Sequence, residues 1–143
     1  MIKEFTLSDL EKCCELYIQV FNNEPWNDNW TYEMAYAYLQ ELVEHKRFLS
    51  YTLWNGEYLI GAVFAHIKRF KYDEIYIDEL FISSDCQRKG NGIKLMNAVD
   101  KYAKENSIIS ITLLTGIDKP AFSFYIKLGY KHLDHLAFMY NRI

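Results

Sequence analysis

The chain has 143 residues, of which half are apolar and 17% aromatic, and its 16 basic and 19 acidic side chains give a formal charge of -3. This composition excludes a disordered or fibrous protein, and no apolar run approaches the roughly 20 residues that span a bilayer. Without an apolar leader or a disulfide framework, we expect one domain over residues 1–143 in the cytoplasm. The mixed charges predict no binding to nucleic acid or to a membrane.

The N-terminal half of the sequence predicts a strand, two helices and a β-hairpin. Helices are indicated where apolar residues recur every three or four positions, and strands where β-branched and aromatic residues dominate. Asn55-Gly56 is the commonest two-residue hairpin signal. In chain order the predicted elements are a strand over 2–7, a helix to about Phe21, a loop over 22–30, a helix from Thr31, and strands over 48–54 and 58–67.

The C-terminal half predicts a βαβ unit followed by a helix and closing strands. Its second strand is a continuous apolar run, which suits a buried strand reached by a helical crossover. The predicted elements are a strand over 74–82, a helix over 92–105, a strand over 108–114, a helix from Asp118 to Leu128, and one or two strands over 130–140. The order βααβββαβαβ predicts an α/β fold with a single mixed, mostly antiparallel sheet of six to seven strands and helices on both faces.

The turn Gln87-Arg88-Lys89-Gly90-Asn91-Gly92 combines two basic side chains and two glycines at the start of a predicted helix. Glycines let the backbone curl, and the first helical turn offers unpaired N–H groups and the positive end of a dipole. The turn therefore predicts a site for a phosphate-bearing ligand. The alternative is an ordinary solvated turn whose glycine caps the helix.

Three motifs resemble signatures of the GNAT superfamily of acyl-CoA-dependent N-acetyltransferases. Residues 87–92 match the pattern Gln/Arg-x-x-Gly-x-Gly/Ala, residues 76–82 resemble the fourth strand, and residues 121–130 resemble a helix that carries a tyrosine and ends in Leu-Gly-Phe/Tyr. The resemblance covers nearly the whole chain and implies that the fourth and fifth strands splay apart. Two positions depart from the pattern. Thr115 lies where members often have a cofactor-contacting asparagine, and Asn91 lies where a small apolar residue is commoner.

The resemblance implies acetyl-CoA as the cosubstrate. The glycine turn would bind the pyrophosphate through backbone N–H groups and basic charge, and the backbone of the fourth strand would pair with the pantetheine arm. The alternative for the strand is a plain core strand. The implied cofactor-binding residues are Leu80, Phe81, Ile82, Gln87, Arg88, Lys89, Gly90, Asn91, Gly92 and Thr115.

Asp78 and Glu79 are charged residues within an otherwise apolar strand, where a charge is costly unless it is paired, solvated or used. Adjacent strand residues face opposite ways, so we expect only one in a given cleft. The resemblance implies Glu79 as the catalytic base, with Asp78 next; the alternative is an ion pair with Lys or Arg. Neutralising a lysine-like amine of pKa ~10.4 costs roughly 4.6 kcal/mol at pH 7. An ordinary glutamate is too acidic, so we expect either a raised pKa or, preferably, a water relay.

The resemblance further implies Tyr125 as the acid that protonates the thiolate leaving group, although a core tyrosine is the alternative. Trp26, Asp28 and Trp30 are expected to bind a cationic acceptor through charge and cation–π contact, as in aminoglycoside and polyamine acetyltransferases. The alternative is that Trp26, Trp30, Tyr32 and Tyr36 simply pack the helices onto the sheet. The four histidines show no metal-ligand spacing, so we expect no metal.

Together these features predict a single-domain enzyme that transfers acetyl from acetyl-CoA directly to a primary amine of a small cationic molecule, without a covalent intermediate on Cys86. Two alternatives stay open: a protein lysine or N-terminal acetyltransferase, and a catalytically silent acyl-CoA-binding regulatory domain. A homodimer is a further expectation, by analogy with the fold.

Overall fold

The computed structural model describes residues 1–143 as one five-stranded sheet with four α-helices. Short 3-10 turns at Leu7–Asp9 and Ser84–Cys86 precede α1 and the glycine turn. No helix has the length and apolar character needed to cross a membrane. In chain order the elements are β1 Ile2–Glu4, α1 Leu10–Phe21, α2 Tyr32–Val43, β2 Phe48–Asn55, β3 Tyr58–Arg69, β4 Asp73–Ile82, α3 Asn91–Glu105, β5 Ile111–Leu113 and α4 Pro120–Lys127.

Local sequence signals set several of the element boundaries. The side chain of Thr31 caps α2 by accepting a 3.2 Å hydrogen bond from the Met34 N–H. Pro120 occupies the first turn of α4, where its missing N–H costs nothing, and Gly129 with φ +94° follows the end of that helix. Local residues of this kind therefore set the start of α2 and both ends of α4.

The strands lie in the order β1-β2-β3-β4-β5, and all neighbours are antiparallel except β4 and β5. The parallel pair is short: it begins at Ile75 with Ile111 and ends at Ile77 with Leu113. Strand β4 continues to Ile82 with no strand on that side. A gap therefore opens between β4 and the chain that follows β5, as expected of a splayed pair.

Helices cover both faces of the sheet. Helix α3 and Tyr125 of α4 pack on one face, and α1 and α2 pack on the other. The fully buried side chains at the centre of these two layers include Phe64, Phe81, Leu39, Ile75, Leu95 and Met96. The prediction of an α/β fold with one mixed sheet and helices on both faces is confirmed.

The predicted number of strands is wrong, because the sheet has five strands rather than six to seven. Residues 130–140, predicted as closing strands, form neither strand nor helix, and every residue from 131 to 143 is exposed. A strand needs a neighbour for its backbone hydrogen bonds, and this segment pairs with no strand of the sheet. Strand β5 is also shorter than the predicted 108–114, because only residues 111–113 stay beside β4.

Candidate active site

A β-bulge in β4 sets the direction of the two strand carboxylates. Phe64 of β3 lies opposite Glu79, but the next residue, Ala65, lies opposite Ile77, so Asp78 is an extra residue without a partner. The bulge reverses the alternation of side chains along β4. Before the bulge, the odd-numbered Ile77 packs with α3; after it, the odd-numbered Phe81 packs with α1 and α2. The expectation that only one of the two acids enters the cleft is thus wrong, since both line the same cavity.

Glu79 is held by two tyrosines from the helices above it. The hydroxyls of Tyr38 and Tyr17 both donate to its Oε1, at 2.9 and 3.2 Å. Burial raises the pKa of Glu79 to about 7, although the two hydrogen bonds oppose this shift, and the nearby charges of Asp78 and Asp28 add to it. Burial and the glutamate also raise the pKa of both tyrosines, so they remain protonated donors. Neither hydrogen bond uses Oε2, which is left for a further partner.

Asp78 pairs with a histidine rather than with the lysine or arginine considered from the sequence. Its Oδ2 lies 2.7 Å from Nδ1 of His66 on β3. Burial raises the pKa of Asp78, and the hydrogen bond and charge of His66 oppose the shift. The ring of His45 lies 4.3 Å from that of His66. The two adjacent acids therefore have different partners: tyrosine hydroxyls for Glu79 and an imidazole ring for Asp78.

The gap between β4 and the end of β5 forms a cavity of about 260 Å³. Tyr125 lies in its wall. Burial is the main cause that raises the pKa of the Tyr125 hydroxyl, and the charges of Tyr130 and Glu79 raise it further. Thr115 and Lys119 lie on the β5 side of the cavity. The lining residues are Phe21, Trp26, Ile77, Asp78, Glu79, Leu80, Leu113, Leu114, Thr115, Gly116, Lys119, Ala121 and Tyr125.

The backbone of β4 turns alternate groups toward this gap. The N–H of Ser83 donates to the carbonyl of Ile60 on β3 at 2.8 Å. Because antiparallel pairing alternates, the backbone groups of Phe81 also face β3, and those of Leu80 and Ile82 face the gap. The Ile82 carbonyl already accepts a 2.9 Å hydrogen bond from the side chain of Gln87. Leu80 therefore presents the free backbone groups, and Phe81 is buried in the core beneath α1 and α2.

The glycine turn leads into α3 as predicted. Gly90 caps the helix with φ +80°, and the first intrahelical bond runs from the Lys94 N–H to the Gly90 carbonyl. The N–H groups of Asn91, Gly92 and Ile93 therefore have no intrahelical acceptor. A Cβ on Gly92 would lie 3.0 Å from the ring of Phe124, so glycine keeps the helix close to α4.

Side chains in the turn divide between structure and solvent. The buried Asn91 amide donates to the Cys86 carbonyl at 2.9 Å and accepts from Lys94 at 3.2 Å. Lys89 donates to the Asp85 carbonyl at 2.7 Å. Arg88 is exposed and forms no ion pair, so its charge is free to meet an anion.

The three residues expected at the acceptor side occupy different places. Trp26 lines the cavity. Asp28 is exposed but close enough to raise the pKa of Glu79. Trp30 stacks on Tyr38 with ring centroids 5.6 Å apart and does not line the cavity. Trp30 thus packs against Tyr38, the tyrosine that donates to Glu79, as expected from the alternative in which the aromatic residues serve packing.

No group of three or more histidine, cysteine, aspartate or glutamate side chains is arranged to hold a metal ion. The groups present suit another ligand: free helix N–H groups beside an unpaired arginine, and a gap lined by backbone, carboxylates and a tyrosine. Free N–H groups at the start of α3 beside an unpaired arginine suit an anionic group such as a phosphate.

Comparison with known families decides what this architecture is. The model of the acetyltransferase (GNAT) family matches residues 10–130, which is most of the chain. The chain belongs to the GNAT family of acetyltransferases. The predicted family and its acyltransferase class are therefore confirmed, and GNAT membership implies acetyl-CoA as the acyl donor.

Solved structures similar to this GNAT chain carry different descriptions. A transcriptional regulator from Bacillus halodurans C-125 is 21% identical, with 99% of each chain covered and a TM-score of 0.81. An aminoglycoside acetyltransferase from an uncultured soil metagenomic sample, in complex with sisomicin, is 19% identical over 100% of this chain and 95% of that chain, with a TM-score of 0.79. AAC(6')-Iy in complex with the bisubstrate analogue CoA-S-monomethyl-acetylneamine is 16% identical over 100% and 98%, with a TM-score of 0.74. No curated protein matches the sequence.

Sequence reasoning missed four residues of this GNAT site: Tyr17, Tyr38, His66 and Lys119. Tyr17 lies on the buried apolar face of α1, yet its hydroxyl reaches β4. A tyrosine that faces a strand bearing two acids is a usable signal, because a buried hydroxyl needs a partner. His66 and Lys119 reach the site through strand register and loop shape, for which the sequence carries no local signal.

Proposed function

We propose that this protein is an N-acetyltransferase that moves an acetyl group from acetyl-CoA to a primary amine of a small cationic molecule. The observation that carries the proposal is the position of Glu79: a carboxylate with a pKa raised to about 7 lies in the gap between β4 and β5, together with Tyr125. A base with a pKa near the working pH can take a proton and release it again.

The donor would lie along α3 and the open side of β4. We assign its pyrophosphate to the free N–H groups of Asn91 and Gly92, with Arg88 supplying charge. The backbone groups of Leu80 that face the gap would pair with the pantetheine amides. Thr115, on the opposite wall, would contact the same arm. So bound, the donor would have its thioester near the two carboxylates.

The acceptor amine would arrive as an ammonium ion and give one proton to Oε2 of Glu79. Its lone pair then attacks the thioester carbonyl, so a C–N bond forms and the C–S bond breaks. Tyr125 gives its proton to the departing thiolate, and the second proton lost by the acylated nitrogen restores the tyrosine. Glu79 finally releases its proton to solvent. The raised pKa of Glu79 supports direct proton transfer over the water relay preferred from the sequence.

Tyr125 suits the acid role because its hydroxyl keeps its proton at neutral pH. Burial raises its pKa, and the neighbouring charges act in the same direction. A thiolate formed in the same cavity also loses solvation, which raises its own basicity and lets it take that proton. Tyr125 also packs against Phe124 at 5.1 Å between ring centroids, which fixes its direction.

The acceptor side favours a cation. Asp78 lines the cavity beside Glu79, and Asp28 lies close enough for its charge to raise the pKa of Glu79. Trp26 adds an aromatic face in the same wall. A molecule with more than one ammonium group could place one at Glu79 and another at Asp78 or Asp28. The aminoglycoside acetyltransferase among the similar structures is consistent with such an acceptor.

Direct transfer is favoured over an acyl-cysteine route. Cys86 lies at the end of the 3-10 turn and is not among the residues that line the cavity. Cys13 and Cys14 are buried in α1, and burial raises the pKa of the Cys14 thiol to about 11. No thiolate is therefore placed for attack. The three free thiols also fit a reducing compartment, and we propose the cytoplasm.

The proposal is tested by binding and turnover together. Acetyl-CoA at about 100 times its Kd should stabilise the fold by about 2.7 kcal/mol in a thermal-shift experiment. Thiol release is then followed with a panel of aminoglycosides, polyamines and a lysine-containing peptide. We expect turnover on a small polycationic amine, with an acetylated product by mass spectrometry. Turnover on the peptide alone would assign a protein acceptor, binding without turnover a silent domain, and no binding would overturn the proposal.

A further inference from the structure

The loop between α1 and α2 is closed at both ends by one side chain. Asn22 directly follows α1, and its amide forms two hydrogen bonds with the backbone of Trp30: Nδ2 donates to the carbonyl at 2.8 Å, and Oδ1 accepts from the N–H at 2.6 Å. A backbone N–H can only donate, so this pair also fixes which way the amide points. Residues 23–29, here named the α1–α2 loop, therefore begin and end at one clamp.

The clamped loop carries an aromatic side chain to the cavity. Asn27 and Asn29 have φ values of +50° and +56°, a left-handed conformation that asparagine tolerates better than most residues. The N–H of Asp28 donates to the Phe21 carbonyl at 2.9 Å, and the Trp26 ring packs edge-on against the Phe21 ring with centroids 5.1 Å apart. Phe21 and Trp26 both line the cavity. The position of this wall therefore depends on how the loop is closed.

The ring of Trp30 packs against both tyrosines that donate to Glu79. It stacks on Tyr38 at an interplanar angle of 24°, and it lies edge-on to Tyr17 with centroids 5.1 Å apart. The buried indole Nε1 has no hydrogen-bond partner in the chain. The direction of the ring therefore depends on its aromatic contacts and on its backbone, which Asn22 holds.

Several titratable groups surround Glu79, and the loop affects three of them. The two tyrosines pack on Trp30, and their hydrogen bonds lower the pKa of Glu79; Asp28 lies in the loop, and its charge raises that pKa. Asp28 is exposed and is the smallest of these causes, so loosening the loop should raise the pKa of Glu79. The groups close to Glu79 or lining the cavity with it are Tyr17 from α1, Asp28 from the loop, Tyr38 from α2, Tyr76 and Asp78 from β4, Lys119 before α4 and Tyr125 from α4.

We infer that Asn22 is a positioning residue of the proposed transfer, whose clamp on Trp30 holds both tyrosine donors against Glu79 and holds Trp26 at the cavity. Asn22 is not among the residues that line the cavity, so it acts through these side chains. The inference rests on the proposed function, in which Glu79 is the base and Trp26 faces the acceptor. One residue outside the motifs thus controls the base and the acceptor wall together.

Asn22→Ala tests the clamp, with Asn23→Ala as the matched control. The Asn23 amide donates to the Gln19 carbonyl of its own helix at 2.6 Å. In Asn22→Ala the acidic limb of kcat/KM should move upward by about 0.5 pH unit or more, because both tyrosine hydrogen bonds weaken. The KM for the amine should rise about tenfold, and the Kd for acetyl-CoA should stay within about twofold. A folded Asn22→Ala protein whose limb or amine KM matches that of Asn23→Ala would overturn the inference, because the clamp would then serve stability alone.

Two substitutions of Trp30 keep the backbone clamp and test the next contact, even if Asn22→Ala does not fold. Trp30→Phe leaves an aromatic ring against the two tyrosines, whereas Trp30→Leu removes it. The acidic limb should stay within about 0.3 pH unit of the wild-type value in Trp30→Phe and move upward by about 0.5 pH unit or more in Trp30→Leu. The same limb in both variants would overturn the inference.

A titration that needs no turnover separates this inference from the proposed function. Carbon-13 labelling of the glutamate carboxyl groups gives the pKa of Glu79 directly by NMR, and its resonance is assigned by its absence in Glu79→Gln. An upward shift of that pKa in Asn22→Ala, in a protein that acetylates no amine, would support the clamp and overturn the proposed function. A Glu79 pKa that is the same in wild type and Asn22→Ala would overturn the clamp even if amines are acetylated.

Discussion

The hydroxyl of Tyr38 donates a 2.9 Å hydrogen bond to Oε1 of Glu79, joining helix α2 to the bulged strand β4. This contact opposes the effect of burial, because it favours the charged form of the glutamate. The pKa of about 7 thus results from two opposing causes, and each can be changed separately by substitution.

Removing the Tyr38 hydroxyl should raise the pKa of Glu79 further. A hydrogen bond to a charged group contributes about 1.5–3 kcal/mol, so Tyr38→Phe should shift the acidic limb of the pH profile for acetyl transfer upward by about one pH unit or more. The measurement is kcat/KM against pH. Tyr36→Phe is the matched control, because that hydroxyl lies on the same helix and does not bond to Glu79. An acidic limb that stays in place in Tyr38→Phe would contradict the assignment of the pKa.

Glu79 also makes the stability of the fold depend on pH. Its folded pKa of about 7 lies above the ordinary 4.5, so the folded state holds a proton that the unfolded state has lost between these values. The contribution is therefore fully present below pH 4.5 and is lost as the pH rises through 7. Glu79→Gln keeps an acceptor for both tyrosines and removes the titration. The free energy of unfolding of the variant, relative to that of the wild type, should therefore increase by about 3 kcal/mol from pH 4 to pH 8.

Urea unfolding of both proteins at several pH values measures this difference. Comparing the two proteins at each pH isolates Glu79 from Asp78, whose raised pKa acts in the same direction in both. A stability difference that is constant from pH 4 to pH 8 would show that Glu79 titrates at its ordinary value.

Tyr125→Phe should separate chemistry from binding. The ring and its packing against Phe124 are kept, but the proton for the thiolate is lost, so kcat should fall about 100-fold. The Kd for acetyl-CoA, measured by calorimetry, should change by less than about twofold, since the substitution keeps the packing of the ring against Phe124 and Tyr130. Tyr130→Phe is the control, because it removes a neighbouring hydroxyl without a partner. Equal losses in both variants would indicate a packing role.

Two glycines give a matched test of the donor site. Gly90 and Gly129 have φ values of +80° and +94°, and an added Cβ would meet no atom within 4 Å at either position. Alanine at each should therefore cost a similar amount of stability, about 1–2 kcal/mol. Only Gly90→Ala should also weaken acetyl-CoA binding, by about tenfold, because Gly90 sets the direction of the α3 N–H groups. Equal affinities in the two variants would place the pyrophosphate elsewhere.

Local patterns predicted most of the fold, and long-range pairing explains what they missed. Helix α1 ends at Phe21 as its apolar spacing predicts, and the glycine turn begins α3 as expected. The bulge at Asp78 depends on the register between β3 and β4, which no local pattern encodes. Residues 130–140 were predicted as strands from their composition, but composition does not say whether a partner strand pairs with them.

For the site, too, the sequence predicted the residues within motifs but not their partners from distant segments. Residues within motifs, such as Glu79 and Tyr125, lie at the cavity, whereas Phe81 does not, because its side chain and backbone both face away from the gap. The partners that tune the carboxylates come from distant segments: Tyr17 and Tyr38 from helices, and His66 from β3. Their positions follow from packing of whole elements rather than from sequence near the motif.

The pH profile of acetyl transfer by wild type and Glu79→Gln tests the central claim most directly. With acetyl-CoA and the best amine of the panel, wild-type kcat/KM should rise with pH through an apparent pKa near 7. This is the pKa of Glu79 in the enzyme without bound substrate. Glu79→Gln should be slower by about 100-fold or more and should lose that limb. A variant with the wild-type rate and the same limb would show that Glu79 is not the base.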